Sequence, residues 1–129
     1  MKETVRIGQI SSIDYKNGRA KVTYPDRDDD VTAALPFLAY EYMMPKSGDD
    51  VLVLHLSNDG TDGVIIGKMY SSENLPKKYG KGTYDKMLDT VSEIYSKDGA
   101  MEITADTLKF TCKTGSITLA EIISHIKGA

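Results

Sequence analysis

Ile13-Asp14-Tyr15-Lys16-Asn17-Gly18-Arg19-Ala20-Lys21-Val22-Thr23-Tyr24 is the stretch whose reading decides the fold class. Asn17-Gly18 is a hairpin signal, because both residues tolerate the positive φ angles of a type I′ turn. After it, Arg19 to Tyr24 alternates small or apolar with polar residues at period two, the pattern of a half-buried strand. Before it, Val5-Arg6-Ile7-Gly8-Gln9-Ile10, continuing to Ile13, supplies the partner. The chain therefore opens as antiparallel β-structure.

Further along, Pro25 ends the second strand, and Asp26-Arg27-Asp28-Asp29-Asp30 is expected to be a solvated loop, since close carboxylates resist burial. A shorter third strand is expected over Val31 to Leu38, kinked or ended at Pro36, which has no N–H for a ladder. Pro45-Lys46-Ser47-Gly48-Asp49 is the next turn. Val51-Leu52-Val53-Leu54-His55-Leu56 and Gly63-Val64-Ile65-Ile66-Gly67-Lys68-Met69-Tyr70 follow as apolar strands around the polar loop Ser57 to Asp62. Five short strands at these spacings predict a small antiparallel barrel. The last two carry aliphatic residues on both faces, so their outer face needs cover from another layer or another subunit.

The second half changes character. Residues 71–83 are polar and basic, with one Pro and two Gly, and read as a linker. A strand-and-turn rhythm follows. Ser92 to Tyr95, Ala100 to Ala105, Thr107 to Cys112 and Ser116 to Leu119 are separated by Lys97-Asp98-Gly99, Asp106 and Lys113-Thr114-Gly115. Met101, Ile103 and Ala105 point one way, as do Leu108, Phe110 and Cys112. Glu102, Thr104, Lys109 and Thr111 point the other. So short a stretch with one apolar face cannot enclose a core alone. Partner chains must cover it, and a symmetric oligomer supplies identical stripes. At the end, Leu119, Ile122, Ile123 and Ile126 share one helical face, with Ser116 or Thr118 as cap and Gly128 as stop. A helix this short is marginal alone and is expected to pack in the oligomer.

Composition narrows the function. The 129 residues are 40% hydrophobic and 27% charged, a globular balance. No apolar run approaches the roughly 20 residues that cross a bilayer, and Met1-Lys2-Glu3-Thr4 lacks the apolar segment of a secretory signal. Sixteen Lys and Arg against nineteen Asp and Glu give a net charge of −3. Residues 1–75 balance at −4 and residues 76–129 at +1. Nucleic-acid binding needs a basic surface, which is missing. Cys112 is the single cysteine, which excludes an intrachain disulfide and a multi-thiolate zinc site.

Five pieces in order carry a family resemblance: Ile7-Gly8-Gln9-Ile10 with Ile13-Asp14; Gly18-Arg19-Ala20-Lys21-Val22; Leu35-Pro36; Pro45-Lys46-Ser47-Gly48-Asp49-Asp50-Val51-Leu52-Val53-Leu54; and Gly63 to Tyr70. Over residues 5–76 the chain resembles the phage baseplate assembly protein V family, the central spike proteins of contractile tails and tail-like particles (tailocins). The resemblance implies an all-β protein. An N-terminal OB-fold barrel over residues 1–76 would be followed by a linker and a trimeric spike region over 77–129. That region would be a short intertwined β-helix or β-prism ending in a short C-terminal helix. The threefold number comes from the resemblance; the stripe pattern alone requires only an oligomer.

The implied function is structural: a baseplate hub and spike that caps the tail tube and pierces the target envelope. The implied partners are two further copies, other baseplate and tail hub proteins, a tip protein beneath the C-terminus and, transiently, the bacterial envelope. The implied location is the virion or tail-like particle, assembled in the bacterial cytoplasm. Some family members bind iron through a His-x-His pair at the tip; here His125 stands alone in the helical segment. Two other functions fit parts of the pattern. One is the spike of a related secretion or injection machine that carries effectors. The other is a nucleic-acid-binding OB-fold using Tyr15, Tyr24, Tyr40 and Tyr42, which the interleaved acidic residues oppose.

No catalytic, cofactor-binding or metal-binding residues are expected, no cofactor is required, and the chain is read as a non-enzyme. For Asp26 to Asp30, a calcium loop would want Gly and Glu where Val31 and Phe37 stand. Asn58-Asp59-Gly60-Thr61-Asp62-Gly63 is read as turn chemistry. His55 has no nucleophile motif beside it and is read as a satisfied barrel or interface histidine. Cys112, in phase with Leu108 and Phe110, is read as a small buried hydrophobe. Lys77, Lys78 and Lys81 are read as solvated. With only about a dozen residues between the two halves, there is no room for an inserted cell-wall hydrolase.

Overall fold

The structure is a computed structural model that describes residues 4–57 and 61–128. It is mostly β: antiparallel sheets with one short C-terminal helix among the described residues. The chain divides into two compact units, Met1–Leu75 and Pro76–Ala129.

In the first unit the strands are β1 (Val5–Asp14), β2 (Arg19–Tyr24), β3 (Asp30–Val31), β4 (Leu35–Pro36), β5 (Asp50–His55) and β6 (Gly63–Lys68), with a 3-10 turn at Pro25–Arg27. The sheet runs β3-β2-β1-β5-β6, and β4 also pairs with β2. The long β1 serves two neighbours. Val5 to Gln9 pair with β5, and Gln9 to Asp14 pair with β2 through a register shift between Ile10 and Ser12. Such a shift bends the strand and increases its twist. Gly8, before the bend, is buried against β2; a Cβ there would come within 2.5 Å of the Val22 side chain and 2.7 Å of the Tyr24 ring.

Three expectations need correction here. First, no closed barrel is formed among the described residues. The sheet edges β4 and β6 meet only at an isolated parallel bridge, Phe37 to Ile65, with the Leu38 N–H donating to the Ile65 carbonyl at 3.3 Å. The edge strand β4 has two residues, and one is Pro36, which cannot donate to a ladder. Second, the Val31–Leu38 strand is two strands. Between them the buried Thr32 hydroxyl accepts the Val22 N–H at 3.0 Å and donates to the Ala33 carbonyl at 2.6 Å. A side chain thus takes a backbone partner and interrupts the edge. Third, the first hairpin does not close with a two-residue type I′ turn. Asp14 pairs with Arg19 around a four-residue loop, in which only Gly18 has positive φ, at 63°. The Asp14 carboxylate accepts both the Asn17 backbone N–H at 3.2 Å and its side-chain amide at 2.9 Å, and this fixes the longer loop.

The core of this unit is Ile10, Ala20, Val22, Tyr24, Leu35, Val51, Val53 and Ile65, with Ile13 and Phe37 packed against it. The alternation read from Arg19 to Tyr24 is observed: Ala20, Val22 and Tyr24 point inward.

The second unit holds a meander of β7 (Thr83–Met87), β8 (Glu93–Lys97) and β9 (Ala100–Thr104). A hairpin of β10 (Lys109–Cys112) and β11 (Gly115–Thr118) follows, then α1 (Leu119–Lys127). β7 was not among the expected strands, and the linker read over 71–83 reaches only its first residue, Thr83. The turn from β7 into β8 is held by the Asp89 carboxylate, which accepts the Val91 and Ser92 N–H groups at 2.8 and 2.6 Å. Asp98 and Gly99, at φ 49° and 91°, supply the positive angles of a tight hairpin between β8 and β9. Of the two expected caps, Thr118 starts α1 through a capping box with Glu121, and the helix stops at Gly128. Among the described residues of this unit, none is buried.

Candidate functional site

The side chains that stand out in this molecule are apolar and uncovered. In the β7-β8-β9 meander, the register sets Ser96 between Tyr84 and Met101, and Ile94 between Lys86 and Ile103. Met101 and Ile103 are 64% and 54% exposed. In the hairpin, Phe110 pairs directly with Ile117, and both are exposed. On α1, Leu119, Ile123 and Ile126 are exposed, and the last keeps 72% of its surface in water. The first unit carries its own aliphatic face opposite the core. Val5 pairs with Leu54 and Leu54 with Val64; Ile7 pairs with Leu52. Val5, Ile7, Leu54 and Ile66 there are exposed.

The opposite face of the meander is polar and internally paired. Lys78 Nζ lies 3.0 Å from Glu93 Oε2 and 4.0 Å from the centre of the Tyr95 ring. Lys78 is exposed, as read, and is also an ion-pair and cation–π partner. Asp85 is pushed above the ordinary aspartate range, first by its side-chain interaction with Glu93 and then by desolvation. Glu93 is lowered first by that same interaction and then by Lys78. The meander is thus two-faced, with Asp85, Glu93, Tyr95 and the pairing Lys78 on one side and the exposed Met101 and Ile103 on the other.

The other candidate residues are placed as follows. His55 is buried, and its Nε2 lies 2.6 Å from the Tyr24 hydroxyl. Arg6 spans the Tyr24 ring at 3.7 Å and reaches Asp26 at 3.2 Å. Burial raises the Tyr24 phenol above its usual value. Tyr24 is consequently unavailable for stacking on a base, unlike the exposed Tyr15, Tyr40 and Tyr42. Asp28, Asp29 and Asp30 are exposed, the first two in the left-handed region. Cys112 is exposed in the single chain, which corrects the buried reading. It lies on the Phe110–Ile117 face of a two-stranded hairpin that has no second layer of its own. Its thiol is lowered by the Thr114 hydroxyl at 3.1 Å. Lys77, Lys81 and His125 are exposed or partly so, and Asn58-Asp59-Gly60 of the expected turn lies outside the described residues. No group of three His, Cys, Asp or Glu side chains among the described residues is arranged to hold a metal ion.

Compared with known proteins, the sequence matches no family model and no curated relative.

Proposed function

We propose that the chain is a homotrimeric structural protein, the hub and spike of a contractile phage tail or tail-like particle. One observation carries this reading: a folded second unit that buries none of its described residues while presenting Met101, Ile103, Phe110, Ile117 and Ile126 to water. Burying such side chains is worth roughly 1.5–3 kcal/mol each, and identical copies are the cover that needs no further gene product. In this proposal, three copies of the meander and hairpin wrap their apolar sides around a common axis as a short β-prism.

The first unit supports an OB-fold assignment. Its pairings run β4-β2-β1-β5-β6, and the bridge between Phe37 and Ile65 brings the two ends of that series together. The bent β1 shared between two partners fits the partly open barrel of that fold. The five quoted sequence pieces lie on β1, β2, β4, β5 and β6, or in the turn before β5.

A spike needs stiffness and shape. Backbone hydrogen bonds shared within and between chains resist axial load, and the work of penetration comes from contraction elsewhere in the particle. No active site is required, and neither nucleic acid nor a cofactor takes part. Other baseplate proteins bind the hub, and a tip protein or the target envelope meets the far end. The test is deletion of the gene in the host that encodes it, followed by electron microscopy of lysates. Loss of complete tails is expected. Normal tails with undiminished killing of target cells would overturn the proposal.

A further inference from the structure

We propose that Asp85, Glu93 and Lys78 form a pH-sensitive latch on the polar face of the meander, tightest when the two carboxyls hold a single proton between them. The latch lies within one chain and does not rest on the trimeric reading above.

The register brings the carboxyls together. Asp85 on β7 pairs with Tyr95, and Glu93 on β8 pairs with Met87, so the two acids are diagonal neighbours on one face. Asp85 is half-buried, and Glu93 keeps only 14% of its side chain in water. One cation serves them. Lys78 Nζ lies 3.1 Å from Glu93 Oε1 and 3.0 Å from Oε2, and rests on the Tyr95 ring. Asp85 Oδ1, by contrast, is shut off from water and has no hydrogen-bond partner among the described residues. A buried carboxylate oxygen needs a donor, so two carboxyls facing one ammonium are best served by one proton.

The segment that carries Lys78 is shaped for the contact. Gly80 and Gly82, at φ 118° and 78°, turn residues 76–82 into β7, and the Thr83 N–H donates to the Gly80 carbonyl at 3.3 Å. Lys77 and Lys81 on this segment are exposed. The remaining charged groups on the face are Glu102, opposite Tyr95 on β9, and Lys97, opposite Thr83 on β7. Lys97 Nζ is occupied by the Thr83 hydroxyl at 3.4 Å, and Glu102 acts on Lys78. The charges that act on Asp85 are those of Glu93 and Lys78.

Each carboxyl limits stability on one side of an optimum. Asp85 is raised, first by Glu93 and then by desolvation, so its contribution is present below the ordinary aspartate value and lost as pH rises through the raised one. Glu93 is lowered, first by Asp85 and then by Lys78, so its contribution is present above the ordinary glutamate value and lost as pH falls through the lowered one. The second unit is therefore tightest between the two, where one proton remains. Both steps belong to the pair rather than to either residue.

The test is carbon-13 NMR of the side-chain carboxyls in the full chain, titrated from about pH 3 to about pH 8, which brackets the ordinary carboxylate range. Asp85 and Glu93 are each expected to move in both of two separated steps. Glu93→Gln should shift the Asp85 titration down toward its ordinary range. In urea titrations, the midpoint of the second unit should fall as pH rises from the acidic optimum to neutrality. Asp85→Asn, which carries no charge to repel Glu93, should reduce that fall. A single independent step for each carboxyl, an Asp85 titration unmoved by Glu93→Gln, or an identical fall in Asp85→Asn would overturn the latch.

Discussion

The two units solve the same problem in opposite ways. Residues 4–57 and 61–75 hold eight buried hydrophobic residues around one sheet, whereas 76–128 hold none. Both are built from short antiparallel strands with good turns and matched charges. What differs is where the second layer comes from. In the first unit the bent β1 lets one sheet curl over its own apolar side. In the second, a three-stranded meander and a separate hairpin leave apolar side chains such as Met101, Ile103, Phe110 and Ile117 exposed. Local hydrogen bonding therefore says little about whether a segment is autonomous; the destination of its apolar face decides that.

The comparison is broken most severely by charging the uncovered side. The pair Ile103→Asp and Phe110→Asp should abolish the oligomer and melt the second unit, because carboxylates would be forced together in a dry contact. Circular dichroism should retain the β signal of the first unit. An unchanged mass would contradict the account. Next in size, Ile65→Ala, at a fully buried position, should cost the first unit about 2–5 kcal/mol in denaturant titration without altering the oligomer mass. Gly8→Ala should cost about 1–3 kcal/mol, since the added methyl runs into Val22 and Tyr24.

The smallest expected effect is a pH dependence in α1. Glu121 is held below the ordinary glutamate range, chiefly by the Thr118 backbone N–H at 3.0 Å and then by its hydroxyl at 2.9 Å. A lowered carboxyl contributes stability that is present above its unfolded value and lost as pH falls through the folded one. Helical signal should therefore decline on acidification below the glutamate range. Glu121→Gln, which still accepts a hydrogen bond but does not titrate, should flatten that decline. An identical acid profile in both proteins would count against the cap as the cause.

Much of this was legible in the sequence because periodicity reports which way side chains point. Arg19 to Tyr24 and Met101 to Thr104 alternate cleanly, and Leu119 to Ile126 follow the helical period. What escaped was decided by side chains acting on backbone. The Thr32 hydroxyl split a strand, and the Asp14 carboxylate lengthened a turn that Asn17-Gly18 alone would have closed in two residues. β7 was hidden because Asp85 and Lys86 follow the basic stretch before it. Tyr84, Lys86 and Leu88 at period two, ahead of Asp89, were the available signal. The Cys112 reading judged its phase correctly but not its cover. Alternation tells which face is apolar, not which molecule covers it.

The most direct test of the central claim is light scattering joined to circular dichroism over a dilution series of the full chain. The account predicts a mass of three times 14.2 kDa at micromolar concentration, with β signal falling in step with mass on dilution. A stable 14.2 kDa species retaining all of its β signal would contradict it.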